Sequence, residues 1–320
     1  MKLSRRVIAG MPVLLALPAR AQAWPTKPLR IIVPFPAGQS TDILARVTAE
    51  QLGKALGQQV IVENRPGAAG SIGADVAAKA APDGYTLLMV TISTHGIAPG
   101  LYPKLPYDPL KDFAPIINVG LTPQVQMTSL KSGITSVRDL IAKAKAGADL
   151  NYGSSGNGSA SHLAIEQLRS TADIKLTHVP FKGNAEAYMA LQSGDIQLMS
   201  DAIPGAVGPV RSGKVTAIGI ADVKRSPYLP DVPTVIEQGV PGVVAVGWIG
   251  LSAPANVPGP ILDRLNAEMQ RILKEPEVIE KLKGLSFVPA GESRQAFQAY
   301  IEAEIAKWRG VIQAAGVKID

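Results

Sequence analysis

A short apolar run, a turn rich in glycine and hydroxyl residues, and an amphipathic helix recur in that order along this 320-residue chain. The first unit starts at residues 29–35 (LRIIVPF), a branched apolar run bounded by prolines that predicts a buried strand. A helix capped by Ser40 or Thr41 should follow, with Asp42 in its first turn. One face of this helix carries Leu44, Thr48, Leu52 and Leu56. Such units are typical of α/β folds with parallel strands.

The repeated order of strand, turn and helix is interrupted once and then resumes, which indicates two lobes. Residues 113–128 form an extended segment suited to crossing between lobes, and residues 243–253 look like a return strand. We therefore predict an α/β fold in which two lobes with mostly parallel sheets are joined by two crossing strands. The first part of lobe 1 is expected at residues 24–122, lobe 2 at 123–246, and the return to lobe 1 with C-terminal helices at 247–320.

The N-terminus has the pattern of an export signal. Residues 1–6 are basic, residues 7–17 are apolar but too short to span a bilayer, and residues 21–23 (AQA) suit a signal peptidase. We predict a signal peptide at residues 1–23 and a periplasmic mature protein. A general secretory signal is the preferred interpretation; residues 4–6 (SRR) leave a twin-arginine signal open, and an uncleaved anchor is the remaining alternative.

Charge and composition exclude several classes of protein. The formal net charge is +6, but four of the positive charges lie in the predicted signal peptide, so the mature chain carries +2 and no basic run. Nucleic acid is therefore a poor partner. The chain has no cysteine, which excludes disulfides and thiolate metal sites. No H-E-x-x-H pattern or carboxylate cluster is present, so we predict no metal and no cofactor.

Three predicted strand ends share one chemical character. Residues 36–42, 93–96 and 153–161 are rich in Gly, Ser and Thr, and two of them lead into helices. Helix starts offer unpaired N–H groups and a positive dipole end, and glycine lets a ligand approach the backbone. Ligands of open α/β sheets bind outside the carboxyl ends of the strands. The sequence therefore predicts a cleft for a small anion, although each loop alone could simply be a turn.

The sequence leaves more than one role open for each charged residue near these strand ends. Lys182 could attract anions or be a solvated loop residue, and Asp201 could receive a ligand amine or hydroxyl or cap a helix. Asp42 fits a capping or water-mediated role. A catalytic set could be assembled from Ser155, His162 and Asp201, but no G-x-S-x-G motif supports it, so we predict no enzymatic activity.

Several segments, in their order and spacing across the whole mature chain, resemble the tripartite tricarboxylate transporter receptors, or Bug-type periplasmic binding proteins. The segments are residues 34–38 (PFPAG) with Asp42, 62–67 (VENRPG), 81–88 (APDGYTLL), 105–108 (LPYD), 153–162 (GSSGNGSASH), 178–183 (HVPFKG) and 229–234 (LPDVPT). The resemblance implies a type II periplasmic-binding-protein-like fold with a closing cleft. It also implies that a carboxylate is held by the loop at residues 35–42 with ordered water, by Ser93 and Thr94, and by the loop at residues 154–159.

Together, the strand ends and the resemblance give the candidate ligand-binding residues. They are Phe35, Ala37, Gly38, Gln39, Ser40, Asp42, Ser93, Thr94, His95, Ser154, Ser155, Gly156, Asn157, Ser159, Phe181, Lys182 and Asp201. Three positions depart from the family pattern: Gln39 replaces a second glycine, Ala160 a common proline and Phe181 a frequent tyrosine. The last change favours a less polar ligand tail.

The expected function is capture of a small organic carboxylate and its delivery to the membrane subunits of a tripartite transporter. Family members bind di- and tricarboxylates, acidic amino acids, or aromatic and nicotinate-like carboxylates, and the sequence does not choose among them. One alternative is a receptor that reports to a membrane sensor kinase. A remote alternative is an exported serine hydrolase. We expect a monomer.

Overall fold

The computed structural model describes residues 24–318, so the predicted signal peptide lies outside the described residues. The strands are β1 (Leu29–Val33), β2 (Val60–Asn64), β3 (Thr86–Thr91), β4 (Phe113–Thr128), β5 (Asn151–Ser154), β6 (Thr177–Pro180), β7 (Leu198–Ala202), β8 (Thr216–Ile220), β9 (Val246–Pro254) and β10 (Val288–Pro289). The α-helices are α1 (Ser40–Leu56), α2 (Ser71–Ala78), α3 (Ala98–Leu101), α4 (Val137–Lys145), α5 (Ala160–Ala172), α6 (Asn184–Ser193), α7 (Ile203–Arg211), α8 (Gly259–Ile272), α9 (Pro276–Gly284) and α10 (Arg294–Ala315).

The strands form two sheets that share β4. In the first sheet the order is β2-β1-β3-β9-β4, and β10 pairs with β4. In the second sheet β4 pairs with β7 and with β8, and β7 continues to β5 and β6. The pairs β1–β2, β1–β3, β5–β6 and β5–β7 are parallel, as α/β units require. Every pair that involves β4 or β9 is antiparallel. The sheets are therefore mixed, which corrects the prediction that they are mostly parallel.

The chain passes between the sheets at two adjacent points. Within β4, Pro123 still pairs with β9, whereas Gln124 already pairs with β7. On the return path, Ala245 accepts a hydrogen bond from the Gln124 N–H and donates one to the Ala221 carbonyl. Residue 245 therefore enters the second sheet just before β9 begins in the first. The lobe limits at residues 122 and 246 stay predictions, and these two passages lie beside them.

The C-terminal helix has one apolar face, as its spacing predicts. Phe297, Ile301, Trp308 and Ile312 are all buried. They pack against the segment after β3 and against α3, in the first lobe. The helix also contacts α5 of the second sheet, where Arg169 donates to the Ala315 carbonyl. The helix thus touches both halves of the molecule.

Local starts of helices differ from the sequence prediction at two places. The N-cap of α1 is Gln39 rather than Ser40 or Thr41, and its side chain makes no capping hydrogen bond. After β3 the chain turns through a π-helical segment, Ile92–Ile97, instead of an open polar loop.

Within residues 24–318, no helix has both the length and the apolar character needed to cross a membrane.

Candidate functional site

A cavity lies where the ends of β1 and β3 face the starts of α5, α6 and α7, with β4 and β9 at its floor. Its empty space, including the mouth, is about 530 Å³. It is lined by Phe35, Gln39, Ser40, Thr41, Thr91, Ile92, Ser93, Thr122, Gln124, Ser155, Ala160, Ser161, Asn184, Asp201, Ala202, Gly247, Trp248 and Ile249. Both lobes therefore contribute to one small site, in which eleven of the eighteen lining residues have polar side chains.

Three helices begin at this cavity without a side-chain cap. The caps of α1, α6 and α7 are Gln39, Gly183 and Ala202, and none of them accepts a capping hydrogen bond through its side chain. Ser40 and Asn184, the first residues of α1 and α6, line the cavity. The first N–H groups of a helix have no partner within the helix, and they carry the positive end of its dipole. The helix N-termini therefore contribute positive electrostatic potential to the cavity, although no lysine or arginine is among the residues that line it.

The fourth helix, α5, is capped from both lobes. The hydroxyl oxygen of Ser159 accepts the His162 N–H. The Ala160 N–H instead donates to the hydroxyl oxygen of Ser93 at 3.1 Å. Because Ser93 follows β3 and Ala160 follows β5, this hydrogen bond joins the two lobes across the cavity.

A group of serine hydroxyls lies beside this contact. The Ser161 hydroxyl oxygen accepts the Ser155 N–H at 3.0 Å and lies 3.1 Å from the Ser155 hydroxyl. It also lies 3.0 Å from the Ser159 hydroxyl. Hydroxyl groups rotate to donate or accept, so this group can turn a donor toward an anionic ligand.

Asp201 is the single charged side chain among the residues that line the cavity. Burial raises the pKa of its carboxyl to about 7, although hydrogen bonds from the Ala202 N–H and from Tyr188 act in the opposite direction. Its Oδ1 accepts a hydrogen bond from the Asn184 amide. The site is therefore amide- and hydroxyl-rich around one partly protonated acid.

Two further pockets open from the cavity, and Gln39 lines all three. Gln39, which stands where the family pattern has a second glycine, thus lies at the junction of the three pockets. A methyl group at Gly183 would lie 2.9 Å from Gln39 Nε2, so the lobes approach closely here, and a side chain at residue 183 would make the flexible end of Gln39 move.

Twelve of the predicted residues lie at these three pockets. Phe35, Gln39, Ser40, Ser93, Ser155 and Asp201 line the central cavity; Ala37, Gly38, Gly156, Asn157, Phe181 and Lys182 line the adjoining pockets. Five predicted residues line none of them: Asp42, Thr94, His95, Ser154 and Ser159. For these five, a part in ligand binding stays a prediction, and the structure places their side chains behind the pocket linings.

Asp42 holds the loop that precedes α1. Its carboxylate accepts the Gly38 N–H at 2.8 Å, the Asn64 amide at 2.9 Å and two donors of Arg46. Burial raises the pKa of Asp42, but the hydrogen bonds from Arg46, Gly38 and Asn64 outweigh it and lower the pKa overall. All of its acceptor capacity is turned toward the protein, which fits the capping role expected for it.

Thr94 and His95 are turned into the first lobe. Thr94 forms a capping box with Thr91, and both side chains are buried. The His95 ring packs on Phe113, with ring centroids 4.7 Å apart, and burial lowers the pKa of its imidazole to about 3. The π-helical turn causes this placement, and a loop interpretation of the sequence cannot anticipate it.

Ser154 and Ser159 are used by the backbone of the second lobe. The Ser154 hydroxyl binds the Gly156 carbonyl and lies 2.7 Å from His178 Nε2. Ser159 caps α5. Both hydroxyls fix the loop whose other residues, Ser155 among them, reach the cavity.

The sequence prediction missed the residues at the floor. Thr122 and Gln124 come from β4, and Trp248 comes from β9. Polar residues in a largely apolar crossing segment are a usable signal for such a floor, because buried polar side chains need partners. Asn184, the first residue of α6, is also absent from the residues predicted from the sequence.

The postulated catalytic set is not assembled. Ser155 bonds to Ser161, whereas His162 accepts the Gly158 N–H through Nδ1 and stacks on His178 with centroids 4.0 Å apart. Asp201 is held by Asn184 instead of a histidine. Among residues 24–318, no group of three potential metal-binding side chains lies close enough to hold an ion.

Comparison with known proteins places the chain among binding proteins. The model of the tripartite tricarboxylate transporter family receptors matches residues 44–317. Protein BugT of Bordetella pertussis is 36% identical over 309 residues, which cover 95% of this chain and 94% of BugT.

Two solved structures of Rhodopseudomonas palustris proteins are similar throughout. Rpa4515 with adipate is 34% identical, with a TM-score of 0.89, and the match covers 92% of this chain and 99% of that one. MatC with bound malate is 35% identical, with a TM-score of 0.85, and the match covers 90% and 100% of the two chains. The two-lobed periplasmic-binding fold is therefore confirmed.

Proposed function

The chain belongs to the tripartite tricarboxylate transporter receptor family, and we propose that it captures a small organic carboxylate in the cavity and delivers it to the membrane subunits of such a transporter. In this proposal the protein works outside the cytoplasm after removal of residues 1–23. It binds its ligand without changing it.

One observation carries the proposal: three helices present uncapped N-termini to a cavity that has no lysine or arginine in its lining. Unpartnered N–H groups attract an anion that can accept several hydrogen bonds at once. A carboxylate has two oxygens with about four acceptor positions, so it can use N–H groups from more than one helix.

The energetics suit such a ligand. A hydrogen bond to a charged group contributes roughly 1.5–3 kcal/mol, so four of them contribute roughly 6–12 kcal/mol, a range that includes the approximately 8 kcal/mol of micromolar binding. Helix dipoles and burial of the ligand's apolar part add to this sum and act against the loss of translational and rotational freedom on association. Adipate and malate in the two similar structures support a carboxylate of this size as the ligand class.

Fewer residues are proposed to contact the ligand than were predicted from the sequence. Ser40 and the neighbouring amides of α1 hold the carboxylate, Ser93 and Ser155 donate hydroxyl hydrogen bonds, and Phe35 covers the ligand. Gln39 closes the entrance between the lobes. The five predicted residues that line none of the pockets support the loops that carry these contacts.

A thermal-shift series with the purified protein tests the function. Adipate and malate should raise the unfolding temperature, whereas adipamide and malamide, their neutral diamides, should not. Sodium chloride at matched ionic strength is the control for general salt effects. If the carboxylates and the diamides give equal shifts, or none, the carboxylate-receptor proposal is wrong.

A further inference from the structure

The loop between β5 and α5 is held from behind by two histidines. The Gly158 N–H donates to Nδ1 of His162 at 3.1 Å, and the Ser154 hydroxyl lies 2.7 Å from Nε2 of His178. These contacts hold the loop near both of its ends. Ser155, which lies between them, lines the cavity. The two imidazoles therefore fix the backbone on either side of a residue that reaches the ligand site.

The contact with Gly158 requires a neutral His162. A ring nitrogen accepts a hydrogen bond only while it carries no proton, so the proton of this ring is assigned to Nε2. His162 is 5% exposed and Gly158 is buried, so a lost acceptor leaves the Gly158 N–H without a partner. Protonation of His162 at Nδ1 therefore breaks the contact that holds Gly158.

A second ring makes this contact sensitive to acid. The rings of His162 and His178 are stacked, with centroids 4.0 Å apart and planes 10° from parallel. Two imidazolium rings at this distance repel each other, so the pair cannot carry two protons without moving apart. His178 lies on β6, the last strand of its sheet, and is only partly buried, so it is accessible to protons from solvent.

The charged groups around the pair do not favour its protonated form. Glu166 of α5 accepts the Tyr152 hydroxyl at 2.6 Å and pairs with Arg169 at 2.7 Å. Burial lowers the pKa of His162 to about 3, and the charges of His178 and Arg169 act in the same direction. Burial lowers the pKa of His178 to about 4, against the opposing charge of Glu166. Both rings are therefore neutral at pH 7.

The same loop fits closely against the first lobe. Tyr102 donates its hydroxyl to the Asn157 carbonyl at 3.2 Å, and a methyl group at Gly158 would lie 2.7 Å from Leu101. Tyr102 and the exposed Lys182, which follows β6, are the titratable groups that line a pocket together with this loop. A shift of the loop would therefore disturb the contact between the lobes as well as the cavity.

We propose that His162 and His178 are positioning residues for the ligand: in their neutral form they hold residues 154–159 in place, and protonation in acid releases this loop. The inference rests on the proposed function, because it takes Ser155 to contact the bound carboxylate. Ligand and proton then compete, since the ligand binds the ordered loop and the proton disrupts it. Affinity should therefore fall in acid by more than protonation of the carboxylate itself explains.

The pH window follows from the direction of the two pKa shifts. The pKa of both rings lies below the ordinary value of 6.5, so the loop contacts are complete at neutral pH. They are lost as the pH falls through about 4, the value for His178. Below it, affinity should fall by up to about tenfold per pH unit for each proton that ligand binding displaces.

Calorimetric titration with malate and adipate from about pH 3.5 to about pH 8 tests this coupling. His162→Ala removes the acceptor at every pH and should weaken binding about 5- to 10-fold at pH 7, the effect of one lost hydrogen bond. His162→Asn keeps an acceptor, because the amide oxygen of asparagine takes the place of Nδ1 without titrating. It should bind like the wild type at pH 7 and lose the additional decline in acid.

Two comparisons isolate the histidines from general effects of acid. Protonation of the ligand cancels in the ratio of the wild-type and His162→Asn dissociation constants, so this ratio reports the protein alone. His178→Gln, which keeps a polar group near Ser154 but cannot become charged, should also lose the additional decline. Lys175→Gln, which removes an exposed charge just before β6, is the matched control and should keep it. The unfolding temperature of each variant shows whether it is folded.

Hydrogen exchange without ligand tests the positioning of the loop directly. At pH 7 the Gly158 amide should exchange slowly in the wild type and in His162→Asn. In His162→Ala it should exchange at least about tenfold faster, because its acceptor is gone. Equal protection in all three proteins would mean that His162 does not order the loop.

The outcomes distinguish this inference from the proposed function. If malate or adipate binds but His162→Ala keeps the wild-type affinity and acid profile, the positioning role is wrong and the receptor function stands. If neither carboxylate binds the wild type, the receptor function is wrong and the ligand part of the inference falls with it; hydrogen exchange then decides the loop. Should His162→Ala not fold, the wild type and His162→Asn suffice, because identical acid profiles overturn the proposal.

Discussion

The Ala160 N–H donates a 3.1 Å hydrogen bond to the hydroxyl oxygen of Ser93, and this bond joins the start of α5 to the end of β3 across the cavity. The hydroxyl is the side-chain partner of an N–H group that would otherwise be free at the helix start. We therefore expect that closure of the two lobes on a ligand depends in part on Ser93.

Replacing that serine should weaken ligand binding. Ser93→Ala removes the partner of the Ala160 N–H in the closed form and should cost about 1 kcal/mol, or roughly fivefold in malate affinity. Calorimetric titration measures the affinity. Ser252→Ala is the matched control, because this buried serine hydroxyl has no hydrogen-bond partner in residues 24–318. Equal losses in both variants would contradict a role of the interlobe bond.

The carboxylate of Asp42 should stabilise the loop before α1. Asp42→Asn replaces an acceptor of four hydrogen bonds, and we expect a loss of about 2 kcal/mol or more in the free energy of unfolding at pH 7. Urea denaturation measures it. Asp263→Asn, which breaks an exposed ion pair with Arg294, should cost less than about 1 kcal/mol.

The pH dependence of this effect has a definite sign. The pKa of Asp42 is lowered in the folded state, so its contribution is fully present above the unfolded value of 3.8 and is lost as the pH falls through the folded value. The difference between wild type and Asp42→Asn should therefore shrink in acid. A difference that stays constant down to acid denaturation would argue against the carboxylate.

Asp201 should make the free energy of unfolding depend on pH in the opposite direction. Its pKa is raised from 3.8 to about 7 by burial, so the folded state holds a proton that the unfolded chain releases in this window. The free energy of unfolding should fall as the pH rises from about 4 to about 7, by at most roughly 1.4 kcal/mol per pH unit. In Asp201→Asn this decline should be absent, and in Asp195→Asn, which changes an exposed carboxyl outside the cavity, it should remain. Urea denaturation across this range decides.

Glu304 should anchor the floor of the cavity. Its Oε2 accepts the indole N–H groups of Trp248 at 3.1 Å and Trp308 at 3.0 Å. Glu304→Ala leaves two buried donors unpaired, and we expect a loss of about 2–5 kcal/mol in unfolding free energy. Glu302→Ala, an exposed neighbour on α10, should change it by less than about 0.5 kcal/mol. Tryptophan fluorescence during urea unfolding reports both the stability and the environment of Trp248.

Much of the fold could be predicted from local patterns. The start of β1, the course of α1 and the long strand β4 follow from apolar periodicity, which reports on burial directly. The direction in which β4 and β9 pair could not be predicted, because strand order depends on contacts between residues more than a hundred positions apart. That missing information made the sheets look mostly parallel.

The candidate site was predicted in its loops and missed in its floor. Glycine and serine at strand ends gave Gln39, Ser93 and Ser155, since those residue types suit helix starts and anions. Thr94 and His95 line none of the three pockets, because the chain turns there through a π-helical segment that a polar strand end does not reveal. Asn184 could not be recognised from the sequence, because its contact with the Asp201 carboxyl forms only in the folded chain.

By itself, the sequence determined the two-unit α/β organisation, the anion-friendly loops and the resemblance to a receptor family, because these depend on local periodicity and residue chemistry. Only the tertiary structure decided which loops meet, that three helix N-termini share one cavity, and that Asp201 is the charged side chain among the described residues that line it. Burial and distance set those properties, and both arise when segments distant along the chain come together.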